Sequence, residues 1–225
     1  MAGSASSASL AVSFPASVAS GDIAIIIATA YNDIPLSGSF TSEAQVSDAS
    51  SATNFRMGWK RCDGTEDSTT VNVTQTAGQI WAQIFTFSGA IASGTPYEGY
   101  DNVTGTANST TLTTPAIVST VANTLGVLVV SNNGNVTFTA ASGFTERIDN
   151  SNTSGIDCAH TVNTIDKASA GTTSAGTLSA SAATFSGYVV FGFALKVATD
   201  TGYTYFLGES PTVPAYSLRH KMTGY

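Results

Sequence analysis

Charge is what this sequence has least of. Of its 225 residues only 8 are Lys or Arg and 15 are Asp or Glu, 10% in all, against roughly 25% in an average soluble domain. The surface must therefore be covered mainly by Ser, Thr, Asn and Gly. With a net charge of -7 and no basic stripe, the chain is not expected to bind nucleic acid, because neutralising phosphates takes clustered Lys and Arg. Arg56, Lys60 and Arg61, the one basic cluster outside the tail, sit beside the acidic loop "DGTED", Asp63 to Asp67.

Long apolar runs are missing too. The run from Ile23 to Ala30 is far short of the roughly 20 residues that cross a bilayer as a helix, so no membrane span is expected. The N-terminus "MAGSASSASLAVSFPASVAS" has neither the basic nor the apolar segment of a secretory signal peptide, which predicts a protein made and kept in the cytosol of the translating cell. Cysteine is scarce: Cys62 and Cys158 could make one disulfide, but without a leader the reduced state is the default, two small half-buried thiols.

Catalytic vocabulary is equally thin. There are two histidines, His160 and His220, and no HExxH, CxxC, GxSxG or P-loop pattern. The best candidate is "DCAH", where Cys158 and His160 share one face of a presumed strand and Asp157 points the other way. Such a Cys-His pair could activate a thiolate, but a strand histidine without a reaction is the commoner case. Asp63, Glu66 and Asp67 could offer oxygens to calcium, yet they lack the EF-hand spacing and have basic neighbours, so a solvated turn is expected. No enzyme activity, cofactor or metal is predicted. "NNGN", Asn132 to Asn135, reads as a turn.

What is present is β-structure. Val, Ile, Thr, Tyr and Phe fill the periodic segments while Gly, Asn, Asp, Ser and Pro punctuate them, and no amphipathic helix stands out. Strands are predicted at Ile23 to Ala30, Phe55 to Cys62, Thr69 to Thr74, Ile80 to Phe87, Leu125 to Ser131, Asp157 to Ile165, Thr177 to Ala180 and Tyr188 to Val197. In the last, Val189, Phe191, Phe193, Leu195 and Val197 share one face, as Trp81, Gln83, Phe85 and Phe87 do in the fourth. Alternation of this kind predicts one buried side.

The sequence also repeats. "FPASVASGDIAIIIATA" from Phe14 aligns with "TPAIVSTVANTLGVLVVSN" from Thr114, with Pro15 on Pro115 and a two-residue insertion before the strand. "SGSFTSE" (Ser37 to Glu43) then matches "SGFTE" (Ser142 to Glu146), "NFRMGWKRCDG" matches "GIDCAHTVNTID", and "QIWAQIFTFSGA" matches "GYVVFGFALKV". In this register Cys158 lies opposite Met57. Four strands per half cannot hide an apolar face alone, which predicts one all-β domain: a jelly-roll-like antiparallel β-sandwich of two similar halves, 14–113 and 114–197, around one shared core. Residues 1–13 are expected to form an extended N-terminal arm and 198–225 a C-terminal arm.

This order of motifs resembles the duplicated β-sandwich domains of many phage virion proteins and some secreted bacterial proteins, whose usual pattern is "GDLL", then "P-x-GW", then a closing "FSG". Here "GDIA" at Gly21 and "FSG" at Phe87 match, whereas Phe40 and Phe144 stand in place of the middle Trp. The resemblance implies a virion or surface β module and brings no catalytic residues with it. The expected function is therefore that of a non-enzymatic bacteriophage virion structural protein. A capsid decoration or cement protein on the major capsid shell comes first. A tail, baseplate or fibre component contacting host glycans, or a cellular carbohydrate-binding lectin, is the alternative. Partner contacts are expected from the C-terminal arm, through Tyr203, Tyr205, Phe206, Tyr216, Arg219, His220, Lys221 and Tyr225, because Tyr, Phe and Arg are common interface anchors. The partners would be the major capsid protein or other virion subunits and further copies of the chain, in a virion assembled in the host cytoplasm.

Overall fold

The computed structural model describes residues 2–5, 9–37, 40–48, 53–76, 78–106, 109–153, 157–183 and 187–198, and all regular structure among them is β. In the first half, β1 (Ala2–Ala5), β2 (Ser9–Ser13), β3 (Ile23–Ala30), β4 (Thr41–Ser42), β5 (Val46–Ser47), β6 (Asn54–Arg61), β7 (Thr70–Thr74) and β8 (Ile80–Phe87) follow one another. The second half runs through β9 (Tyr97–Thr106), β10 (Thr111–Thr113), β11 (Ile117–Ser119), β12 (Thr124–Asn132), β13 (Phe138–Thr139), β14 (Thr145–Asn152), β15 (Cys158–Lys167), β16 (Gly171–Thr173), β17 (Thr177–Ala180) and β18 (Gly187–Leu195).

The pairing is nested. In the first half β1 pairs with β8, β2 with β7 and β3 with β6, all antiparallel. In the second, β9 pairs with β18, β10 with β17, β11 with β16 and β12 with β15. First-with-last pairing continued inward is the pattern of a long antiparallel hairpin rolled upon itself, the jelly roll. The all-β sandwich of two similar halves is as expected, but each half carries its own roll.

The two large sheets, β1-β8-β3-β6-β4 and β14-β15-β12-β18-β9, supply opposite walls of a central core. Ile23, Ile25, Ile27, Phe85 and Phe87 enter it from the first half, Val127, Val129, Phe191, Phe193 and Leu195 from the second. Their other faces are covered as well. Ala24, Ile26, Ala28 and Ile84 pack under Leu10, Val12, Val71 and Val73 of β2 and β7. Leu128, Val130 and Val190 pack under Leu112, Phe138 and Leu178 of β10, β13 and β17. Instead of one shared core there are three. The strand sequences require it: IAIIIATA and IWAQIFTF are apolar on both faces, and every residue of β3, β8, β12 and β18 is buried. Each fully buried Ile, Leu or Phe contributes about 1.5–3 kcal/mol, which sheets exposed on one side would forgo for half their residues.

Two sequence-based boundaries move. Residues of the expected N-terminal arm are built in: β1 lies along β8, and Leu10 and Val12 of β2 point inward against the first sheet. Likewise β9 and β10 precede residue 114 yet pair only with strands of the second half. Neither was legible, because AGSA and YEGYDNVTGT are too small or too polar to show strand periodicity.

The repeat register holds at the entry strand, at Thr41 and Thr145, and at the closing strand, where Trp81 matches Val189; it is shifted in the third block. Gly21 and Asn123, aligned before β3 and β12, both adopt left-handed backbone, φ 94° and 55°, which only Gly and Asn take readily. Further on, Thr29 pairs with Phe55 and Trp81, while its counterpart Ser131 pairs with His160 and Val189. His160 thus corresponds to Phe55, and Cys158 falls level with Thr53 rather than Met57.

Candidate functional site

One polar cluster interrupts the central core. It forms where β3 and β8 of the first roll face β12 and β15 of the second, and its members come from segments that are otherwise apolar. Thr29 is the hydroxyl residue in IAIIIATA, and Ser131 is its counterpart in LGVLVVSN. Their oxygens meet at 2.6 Å. The contact joins equivalent positions of the two halves.

Around the pair stand Trp81, Cys158 and His160. Thr29 Oγ1 also lies 3.0 Å from His160 Nε2, and the imidazole stacks on the Trp81 indole at a centroid distance of 3.9 Å. The Cys158 thiol donates to the Asn132 carbonyl at 2.9 Å and lies 3.8 Å from both Ser131 Oγ and His160 Nε2. As the strand period requires, Cys158 and His160 share a face and Asp157 is exposed on the other. Next to the cluster, Asn133 Nδ2 donates to Thr53 Oγ1 at 2.9 Å, a second polar link between the halves.

This geometry is not that of a working thiolate-imidazolium pair. Cys158 and His160 are both 0% exposed, and burial pushes the thiol up to about 12 and the imidazole down to about 3. Both are therefore neutral at physiological pH, with no cation among the described residues in contact with the thiol and no exposed surface on either group. Cys62 is a free thiol buried in the first roll's outer core, apart from Cys158. Burial likewise raises it to about 12, and no disulfide links the two.

The acidic loop is the solvated turn its sequence suggests at Asp63, Gly64, Thr65 and Asp67, which are exposed, but not at Glu66. Glu66 is buried, its carboxylate 2.8 Å from Lys60 Nζ and accepting from the backbone N–H groups of Asp63 and Gly64. Burial alone would raise its pKa, but the Lys60 hydrogen bond and the two backbone donors outweigh that and hold it below the ordinary carboxylate value. Asp67 accepts from the Val18 N–H and pins the entry segment. Among the described residues no group of three or more His, Cys, Asp or Glu is placed to hold a metal ion. In "NNGN", Asn132 ends β12, Asn133 and Gly134 are buried in the bend that follows, and only Asn135 is exposed.

The predicted partner-binding residues Tyr203, Tyr205, Phe206, Tyr216, Arg219, His220, Lys221 and Tyr225 lie outside the described residues. Described aromatics are mostly internal. Trp81 is buried, and Trp59 packs edge-on against Tyr97, which donates to Glu43. Among the described residues the exposed large hydrophobic side chains are Tyr31, Val118 and Val121.

Compared with protein-family models, with curated proteins and with solved structures, the chain gives no significant match.

Proposed function

We propose that this chain is a non-enzymatic structural protein of a bacteriophage virion, a capsid decoration or cement protein that binds the major capsid shell. The observation that carries the reading is where the chemistry-bearing side chains go. His160, Cys158, Cys62 and Trp81 are all consumed by packing between or within the rolls, and what faces outward is a sparsely charged Ser, Thr and Asn surface. A jelly roll by itself fits many functions; the reading adds to it the "GDIA" and "FSG" resemblance and the 203–225 segment, rich in Tyr and closing with Arg219, His220 and Lys221.

A glycan binder would present aromatic rings in a shallow groove, whereas among the described residues Tyr31 is the one large exposed ring. The reading therefore favours protein contacts made by the C-terminal segment. The test is deletion of residues 199–225, which spares Ala198, whose N–H donates to Gly89 at 2.9 Å. Loss of incorporation into particles with unchanged thermal stability supports a cement protein. Unchanged incorporation with lost host attachment overturns it in favour of a tail or fibre adhesin.

A further inference from the structure

The central core joins two rolls that each possess a second apolar core of their own, Leu10, Ile26 and Val73 with their neighbours in one and Leu112, Leu128 and Val190 with theirs in the other. Parting the rolls at one end therefore need not dissolve either. At the end where Thr29 meets Ser131, the apolar contact gives way to a buried imidazole with no counter-ion. Nδ1 of His160 has no hydrogen-bond partner, and Nε2 has one hydroxyl from the opposite roll and the weak Cys158 thiol.

We propose that His160 is an acid-sensitive latch between the two rolls: its protonation opens the central interface at the Thr29–Ser131 end while each roll keeps its fold. An imidazolium carries two N–H donors, and here one of them finds no acceptor. Nor does any described residue in contact with the ring carry a compensating charge. Thr29 and Trp81 face the ring from β3 and β8, Ser131 from β12, Cys158 from its own strand, and Asn150 is its register partner on β14. Among the described residues in contact, Cys158 is the one titratable group, and it is neutral. Asp157 is exposed, Asp149 pairs with Thr161, a buried residue on the opposite face of β15 from His160, and Asp48 packs beside Gly187. Buried charge without a partner is expelled or drives opening.

The sign follows from burial. The closed state holds the ring neutral far below its ordinary value of about 6.5, so the open state takes up the proton first. Closure is complete above about pH 6.5 and weakens about tenfold for each unit below it.

Thiol labelling of the full chain, with rates divided by those of the unfolded chain at each pH, tests this, because the backbone hydrogen bonds of β12 and β15 lie within one roll and survive the parting. Between pH 7.5 and pH 5 the relative labelling rate of Cys158, at the seam, should rise about 30-fold. That of Cys62, in the outer core of the first roll, should not change. His160→Phe, which installs the residue of the equivalent position in the first roll, should abolish the pH dependence; His160→Asn serves if that variant does not fold. A Cys158 rate independent of pH, an equal rise at Cys62, or the same acid response in either variant would overturn the proposal.

Discussion

Replacing Thr29 by Val removes one hydroxyl and leaves two buried groups stranded. Thr29 Oγ1 is the partner of Ser131 Oγ at 2.6 Å and of His160 Nε2 at 3.0 Å. What remains to each is the Cys158 sulfur at 3.8 Å, a weak partner. A buried polar group that loses its hydrogen bond costs about 1–3 kcal/mol, so Thr29→Val should cost about 2–4 kcal/mol, a large share of a typical domain's 5–15 kcal/mol. The informative variant removes the whole network. In Thr29→Val, Ser131→Ala, His160→Phe no orphan is left except the Cys158 thiol, which keeps its Asn132 carbonyl. Replacing all partners with apolar groups of similar shape is close to neutral, with up to roughly 1–3 kcal/mol for fitting the larger ring against Trp81. The triple variant should therefore be more stable than the Thr29→Val single by about 1 kcal/mol or more. Urea unfolding at pH 7.5, with unchanged m-values as the control for two-state behaviour, measures both. If the triple loses as much as the three singles added together, the hydroxyls and imidazole do not act as a unit and the description of the cluster fails.

Further outcomes follow from the layering. Ile26→Ala, on the outer face of β3, should cost about 2–5 kcal/mol, the same range as Ile27→Ala on the central face; a cost within about 0.5 kcal/mol would mean that β2 and β7 do not cover the sheet. Glu66→Gln should lower stability at pH 7 by about 1.5–3 kcal/mol through its charge-assisted bonds to Lys60 and the Asp63 and Gly64 amides. Because the Glu66 carboxyl is held below its ordinary value, that contribution is present above about pH 4.3 and vanishes as pH falls further, so the variant and the parent should converge in acid. Neither thiol should react with a disulfide reagent at pH 8 in the native protein, whereas both should react at once after unfolding, given their burial; native reactivity of either would refute its placement.

Strands that bury both faces announce themselves in the sequence. IAIIIATA, IWAQIFTF, TLGVLVVSN and GYVVFGFAL carry a continuous apolar signal, and all eight strands read from periodicity are present within a few residues of their expected ends. The alternation within them also identified the central core face, Trp81, Phe85 and Phe87 against Val189, Phe191 and Phe193. Edge and cover strands did not announce themselves. TERIDNSN and YEGYDNVTGT become strands because β15 and β18 offer them an unpaired ladder edge, a condition set by neighbours distant in sequence.

By itself, then, the sequence determined the class, the duplication, the entry-strand register and the sharing of one strand face by Cys158 and His160, because these depend on period and on local backbone preference. Tertiary structure decided the rest. Whether each half closes as its own roll depends on which edges find each other across the chain. That His160 meets Trp81 and Thr29, and that its imidazole and the Cys158 thiol are neutral rather than reactive, depends on the opposite roll sealing water out. Burial is a property of the assembled layers, and it turned a spacing that could have been catalytic into the polar seam between the two rolls.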